Sequence, residues 1–101
     1  MPMFKDFSTE NEALAAVKRM KQKFSEEFVG VISPLPAKKH ELSADDYGLP
    51  KKNVIFTKQK GNYQLKLLNW GFTETQILAL EEVFKKGHLI VVIKEKNLKR
   101  N

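Results

Sequence analysis

The chain contains no cysteine. That excludes a disulfide scaffold, a thiolate zinc site and a cysteine nucleophile, and it fits a reducing compartment. Glycine is sparse, five residues in all. They are scattered, so neither G-x-G-x-x-G nor G-x-x-x-x-G-K is present to cradle a phosphate. No G-x-S-x-G elbow is present for a serine nucleophile. No apolar run is longer than LIVVI at 89–93, far short of the roughly 20 residues that span a bilayer. The opening MPMFKDFSTE lacks the basic and apolar segments of a secretory signal. A soluble, cytoplasmic protein with no membrane insertion is expected.

What is present suits one globular domain over residues 1–101. Hydrophobic residues make up 42% of the 101, with seven Phe, two Tyr and one Trp as bulky core material. The net charge is +6. Such a field favours acidic partners, nucleic acid among them, although for lysines this dispersed a solvated, solubilising surface is the stronger reading.

Periodicity orders the elements. MPMFKDF at 1–7 reads as a first strand. Thr9 and Glu12 form a capping-box pattern ahead of a stripe of Ala13, Leu14, Val17, Met20 and Phe24, which predicts an amphipathic helix. FVGVIS at 28–33 reads as a buried strand. The segment 34–52 has three prolines and is expected to be a long polar loop, with a turn at DDYG. Loops of that length are usually mobile or functional.

NVIFTK at 53–58 reads as a third strand. The stretch 62–70 suits either a strand end or, better, a short helix capped by Asn62 and stopped by Gly71. A further helix starts at Thr73 with Gln76 as its box partner and the Phe72–Ile77 staple. It carries Ile77, Leu80, Val83 and Phe84 inward and stops at Gly87. LIVVI is apolar on both faces, the mark of a central or covered strand. The tail 95–101 is basic and expected to fray. The order predicts an α+β fold: a two-layer sandwich, ferredoxin-like (split βαβ), with a mixed sheet and helices on one face.

Few residues offer chemistry. His40 stands near Glu41, Asp45 and Asp46 in the long loop, a set that can bind metal but matches no closed-site spacing. A solvated polar loop is the stronger reading. His88 follows the Gly87 stop and is expected to serve the helix end or open the strand. The acid pairs Glu26–Glu27, Asp45–Asp46 and Glu81–Glu82 are adjacent in sequence. On a helix such neighbours diverge by about 100°, so they read as surface charge. No catalytic residue, cofactor site, metal site or small-molecule ligand is assigned.

Lys38, Lys39, Lys51, Lys52, Lys58 and Lys60 crowd the middle of the chain and are candidate contacts for a nucleic-acid backbone. The aromatic signature of RNA-recognition strands is absent, since Phe56 is the only aromatic of NVIFTK. If helices cover only one face of the sheet, Trp70, Leu89, Val91 and Val92 are candidates for self-association into a homodimer.

LLNWGFTETQILALEEVFKKGHLIVVI resembles the C-terminal part of the bacterial general stress protein 17M family. The shared pattern is a small apolar helix (Leu67, Leu68), Gly71, Phe72, a helix led by Thr73, then Gly87 and a closing strand from Leu89 to Ile93. FSTENEALAAVKRMKQKF is similar to that family's first helix. The resemblance covers 4–33 and 65–94. It implies a small non-enzymatic bacterial protein of general-stress type that binds a protein or itself. Nonspecific nucleic-acid binding, and an enzyme or metal domain built on 40–46, are the alternatives.

Overall fold

In the computed structural model, residues 2–34, 42–58 and 61–94 are described. The elements are β1 (Met3–Phe7), α1 (Glu10–Lys23), β2 (Val29–Ser33), α2 (Ala44–Tyr47), β3 (Val54–Phe56), α3 (Tyr63–Asn69), α4 (Glu74–Lys85) and β4 (Leu89–Ile93). Single 3₁₀ turns at 26–28 and 51–53 lead into β2 and β3. No helix among the described residues is long and apolar enough to cross a membrane.

The four strands form one mixed sheet in the order β1-β4-β2-β3. β4 runs antiparallel to both neighbours, with Lys5 opposite Val91 on one side and Val31 opposite Val91 on the other. β2 and β3 pair in parallel. The α+β class and the mixed sheet match expectation. β1 and β2 are parallel strands with β4 between them, and α1 makes the connection across β4.

The expected placement of helices on one face does not hold. Side chains of a strand alternate between faces, and both faces of β4 are covered. Leu89, Val91 and Ile93 join Val29, Val31 and Val54 in a core with α1 and α2. Ile90 and Val92 join Ile32 and Ile55 in a second core with α3 and α4. Each Leu, Ile or Phe buried this way contributes roughly 1.5–3 kcal/mol, so a run apolar on both sides is stabilised most when both sides are covered. The self-association candidates are consumed by this packing: Trp70, Leu89, Val91 and Val92 are all buried beneath the chain's own helices.

The helix ends follow the local code closely. Asn62 caps α3 through the amides of Gln64 and Leu65. Thr73 and Gln76 close a reciprocal capping box on α4. Gly71 and Gly87 take positive φ, 106° and 82°, the left-handed conformation that ends a helix at low cost only for glycine. At α1, Thr9 caps the amide of Glu12, but the Glu12 carboxylate takes the amide and hydroxyl of Ser8 instead of reaching back to Thr9.

The expected loop at 34–52 is in part built structure. Ser43 and Asp46 form a capping box around α2, which closes at Gly48 in the left-handed conformation. Ala44, Tyr47 and Leu49 enter the core. The Glu10 carboxylate accepts from the Leu42 amide, and Lys21 Nζ donates to the Tyr47 carbonyl at 3.2 Å, tying this segment to α1. The rest of that loop, 35–41, and the tail 95–101 lie outside the described residues.

The Met3 end of the sheet is closed by a polar plug. Asn53, expected to open the third strand, precedes it and is fully buried. Its amide lies 2.9–3.0 Å from the carbonyls of Glu26, Glu27 and Val29, and its Oδ1 accepts from Lys94 Nζ at 2.8 Å. The Lys94 ammonium also sits 5.1 Å over the Trp70 ring, within cation–π range.

Candidate functional site

The opposite end of the sheet collects the chemistry. There β1, β2 and β3, which run the same way, end at Phe7, Ser33 and Phe56, and β4 begins at Leu89. In open sheets, ligands favour the crevice outside the carboxyl ends of parallel strands. Two grooves open at this end.

The first, of 480 Å³, lies along β1 and α1 and includes Lys5, Asp6, Ser8, Glu12, Arg19 and His88. Asp6 faces Ile90 in the ladder, so His88 is its diagonal neighbour on the same face. The rings and carboxylates meet accordingly: His88 Nδ1 is 2.8 Å from Asp6 Oδ2. The bond to His88 is the chief reason the Asp6 carboxyl is held below the usual aspartate range, with the nearby charge of Lys86 adding to it. An ionised carboxylate only accepts, so Nδ1 carries the proton and Nε2 is left for another partner. His88 thus serves more than the helix end, although its amide does reach the Val83 carbonyl at 3.4 Å.

The second groove, of 270 Å³, adjoins the ends of β2 and β3 and includes Pro34, Thr57, Lys58, Tyr63, Glu81 and Phe84. Tyr63 Oη and Gln64 Nε2 both donate to Glu81 Oε2 at 3.0 Å. Burial first, then this bond and the charge of Glu81, pushes the Tyr63 phenol up to about 12. Tyr63 stands edge-on to Phe84, with ring centroids 6.1 Å apart. The groove has an aromatic wall and a carboxylate fixed by two donors from α3.

Among the described residues the lysine candidates do not converge. Lys51 and Lys52 are exposed on the turn before β3, whereas Lys58 is exposed beyond its end. At about 3.3 Å per residue, the length of β3 and its flanks separates them. Lys38, Lys39 and Lys60 lie outside the described residues, as do His40 and Glu41. Asp46, of the 40–46 set, is engaged by the Ser43 cap, which holds its carboxyl low. Among the described residues no group of three or more His, Asp or Glu side chains is placed to hold a metal ion.

Reasoning from the sequence missed Asp6–His88 and Glu81–Tyr63–Gln64, both of which depend on pairings distant along the chain. The only signal for the first was register, available once the 1–7 and 89–93 strands are placed side by side. No protein-family model, no curated protein and no solved structure matches this chain.

Proposed function

We propose that this chain is a small non-enzymatic protein of the bacterial general-stress type that works by association, pairing with a second copy of itself along β1. The carrying observation is the exposed edge. Among the described residues β1 is paired on one side only, and four of its five residues are exposed. Met3 is 56% and Phe4 45% exposed. Phe4 packs on Phe72, ring centroids 5.7 Å apart. A free edge of this kind is a template for another strand. The β1–α1–β2 unit straddling β4 supports the split βαβ reading of the fold.

A register centred on Phe4 suits a second copy at this edge. A two-fold axis normal to the sheet brings residues of equal parity face to face. Centring on Lys5 or on Asp6 would oppose like charges, which destabilises a sheet pair. Centring on Phe4 opposes Phe4 to its own copy and Met3 to Lys5, and extends the Phe4–Phe72 contact into a four-ring cluster. The nucleic-acid alternative lacks this support, because Lys51 and Lys52 are divided from Lys58 by β3.

Light scattering from about 10 to 500 µM covers the micromolar affinities worth roughly 8 kcal/mol. The mass should rise from 11.7 kDa towards twice that value with concentration, and Phe4→Glu should stay monomeric with an unchanged fold. A constant monomer mass for the unaltered chain across this range overturns the reading.

A further inference from the structure

The groove at the ends of β2 and β3 has its lining on one side of the sheet. Ile32 and Ile55 belong to the core under α3 and α4. Side chains two positions apart share a face, and the pairing continues through the Thr57 amide to the Ser33 carbonyl at 2.9 Å, so Pro34 and Thr57 fall on that same face. The two helices close the groove with groups in mutual contact: Tyr63 stands edge-on to Phe84, and Tyr63 and Gln64 both donate to Glu81. Both of those bonds fall on Oε2, which holds the carboxylate in one orientation and leaves Oε1 to an incoming donor. The lining also carries cations that do not neutralise it. Lys58 makes no ion pair or hydrogen bond among the described residues, and Lys85 is held by Glu82 at 3.2 Å.

We infer that this groove binds a small zwitterion, an α-amino acid with a mid-sized apolar side chain. The ammonium is met by Glu81 Oε1, the carboxylate by the Lys58 ammonium, and the apolar side chain by Pro34 and the rings of Tyr63 and Phe84. Ligands of one sign fit less well: an anion meets the Glu81 charge, and a cation meets Lys58 and Lys85. A ligand that carries both signs engages each side and leaves neither charge opposed. The bond to a fixed carboxylate is charge-assisted and directional, and the lysine adds a point charge on a flexible stem. At 270 Å³ the cavity is a little under the roughly 300 Å³ at which drug-sized sites begin, which suits a ligand of one residue's size. The site is independent of β1 self-pairing, since β3 lies at the far edge of the sheet from β1.

The test is a titration of the ¹⁵N-labelled protein with L-leucine, beside 4-methylpentanoate, which lacks the ammonium, and 3-methylbutylamine, which lacks the carboxylate. Saturable shifts are expected at the amides of Thr57, Lys58, Tyr63 and Glu81. 4-Methylpentanoate should bind about tenfold more weakly, the equivalent of one charged hydrogen bond, and 3-methylbutylamine about threefold more weakly, because the Lys58 ammonium works in solvent. Glu81→Gln and Lys58→Ala should weaken L-leucine by the same two factors. The amide oxygen of Glu81→Gln still accepts from Tyr63 and Gln64, and Lys58 is exposed, so folding is not at stake. Glu74→Gln removes the same charge from the far end of α4, outside the lining, and should leave binding unchanged. No saturation by about 20 mM, an analogue that binds as well as L-leucine, or equal weakening by Glu81→Gln and Glu74→Gln would each overturn the site.

Discussion

Gly30 and Trp70 occupy what would be a single volume in any other residue pair: a Cβ on Gly30 would meet Cζ3 and Cη2 of the indole at 2.7 Å. The strand β2 thus leaves a slot in its face, and the one tryptophan of the chain fills it.

Gly30→Ala should therefore force the indole out of its seat. Overpacking of a tight core typically costs about 1–3 kcal/mol, and about 2 kcal/mol in a chain of this length lowers Tm by roughly 10 °C. The near-UV circular dichroism of Trp70 should weaken in parallel. A melt that matches the unaltered protein would mean that the ring has room to shift.

Asn53→Ala should be more damaging, although it deletes only a few atoms. It would leave the carbonyls of Glu26, Glu27 and Val29 and the ammonium of Lys94 without their shared partner. Losing these bonds costs roughly 1–3 kcal/mol each where the group is buried, while the Glu26 carbonyl keeps the Val29 amide and Lys94 keeps the Trp70 ring, so a loss of about 3 kcal/mol is expected in urea unfolding. Asn53→Asp keeps the acceptor for Lys94 but loses the donor to three carbonyls, so it should fall on the destabilised side as well. If both variants unfold at the wild-type midpoint, the plug contributes nothing to stability.

Tyr47→Phe is expected to stabilise. The Tyr47 hydroxyl is buried and has no hydrogen-bond partner among the described residues, while its ring is part of the core. Removing a desolvated, unpaired hydroxyl from a filled site gains up to about 1 kcal/mol, a rise of several degrees in Tm. A clear loss of stability on this substitution would reveal a partner for the hydroxyl.

Alkaline titration should read both tyrosines at once, since the chain has two. Burial raises Tyr47 first, with the charges of Glu10 and Asp46 adding to it, and Tyr63 is pushed up to about 12. An unfolded tyrosine ionises near 10. The folded form thus holds its phenolic protons more tightly. The stabilisation from this difference is fully present below pH about 10 and is lost as pH rises through about 12. Little tyrosinate absorbance should appear at pH 10.5, and its growth above that should coincide with loss of tertiary signal. A midpoint near 10 in the intact fold would place the phenols in water.

Local code accounts for what was legible without coordinates. Asn62, Thr73, Gly71 and Gly87 mark helix ends because caps and left-handed stops depend on a few adjacent residues. The mixed α+β class followed from the alternation of those helices with short β-branched runs. LIVVI announces a strand apolar on both faces, yet it does not assign the second helical layer, because Leu67, Trp70 and Phe72 declare burial without declaring against which face. Asn53 resembled one more polar residue at the start of NVIFTK; its three carbonyl partners lie 24 to 27 residues away, and no periodicity encodes them. The same holds for His88 and Asp6, 82 residues apart.

Strand β4 is the latest of the four strands along the chain, yet it occupies an inner place in the sheet, between β1 and β2. During synthesis β1 therefore waits without a neighbour while every other strand is made, and neither apolar layer has its floor until Leu89–Ile93 leaves the ribosome. Earlier lengths can form helical turns and the β2–β3 pair but lack β4, the strand that joins β1 to β2. Folding of this topology is consequently a late, single event governed by long loop closures, and until it occurs the waiting β1 edge is open on both sides.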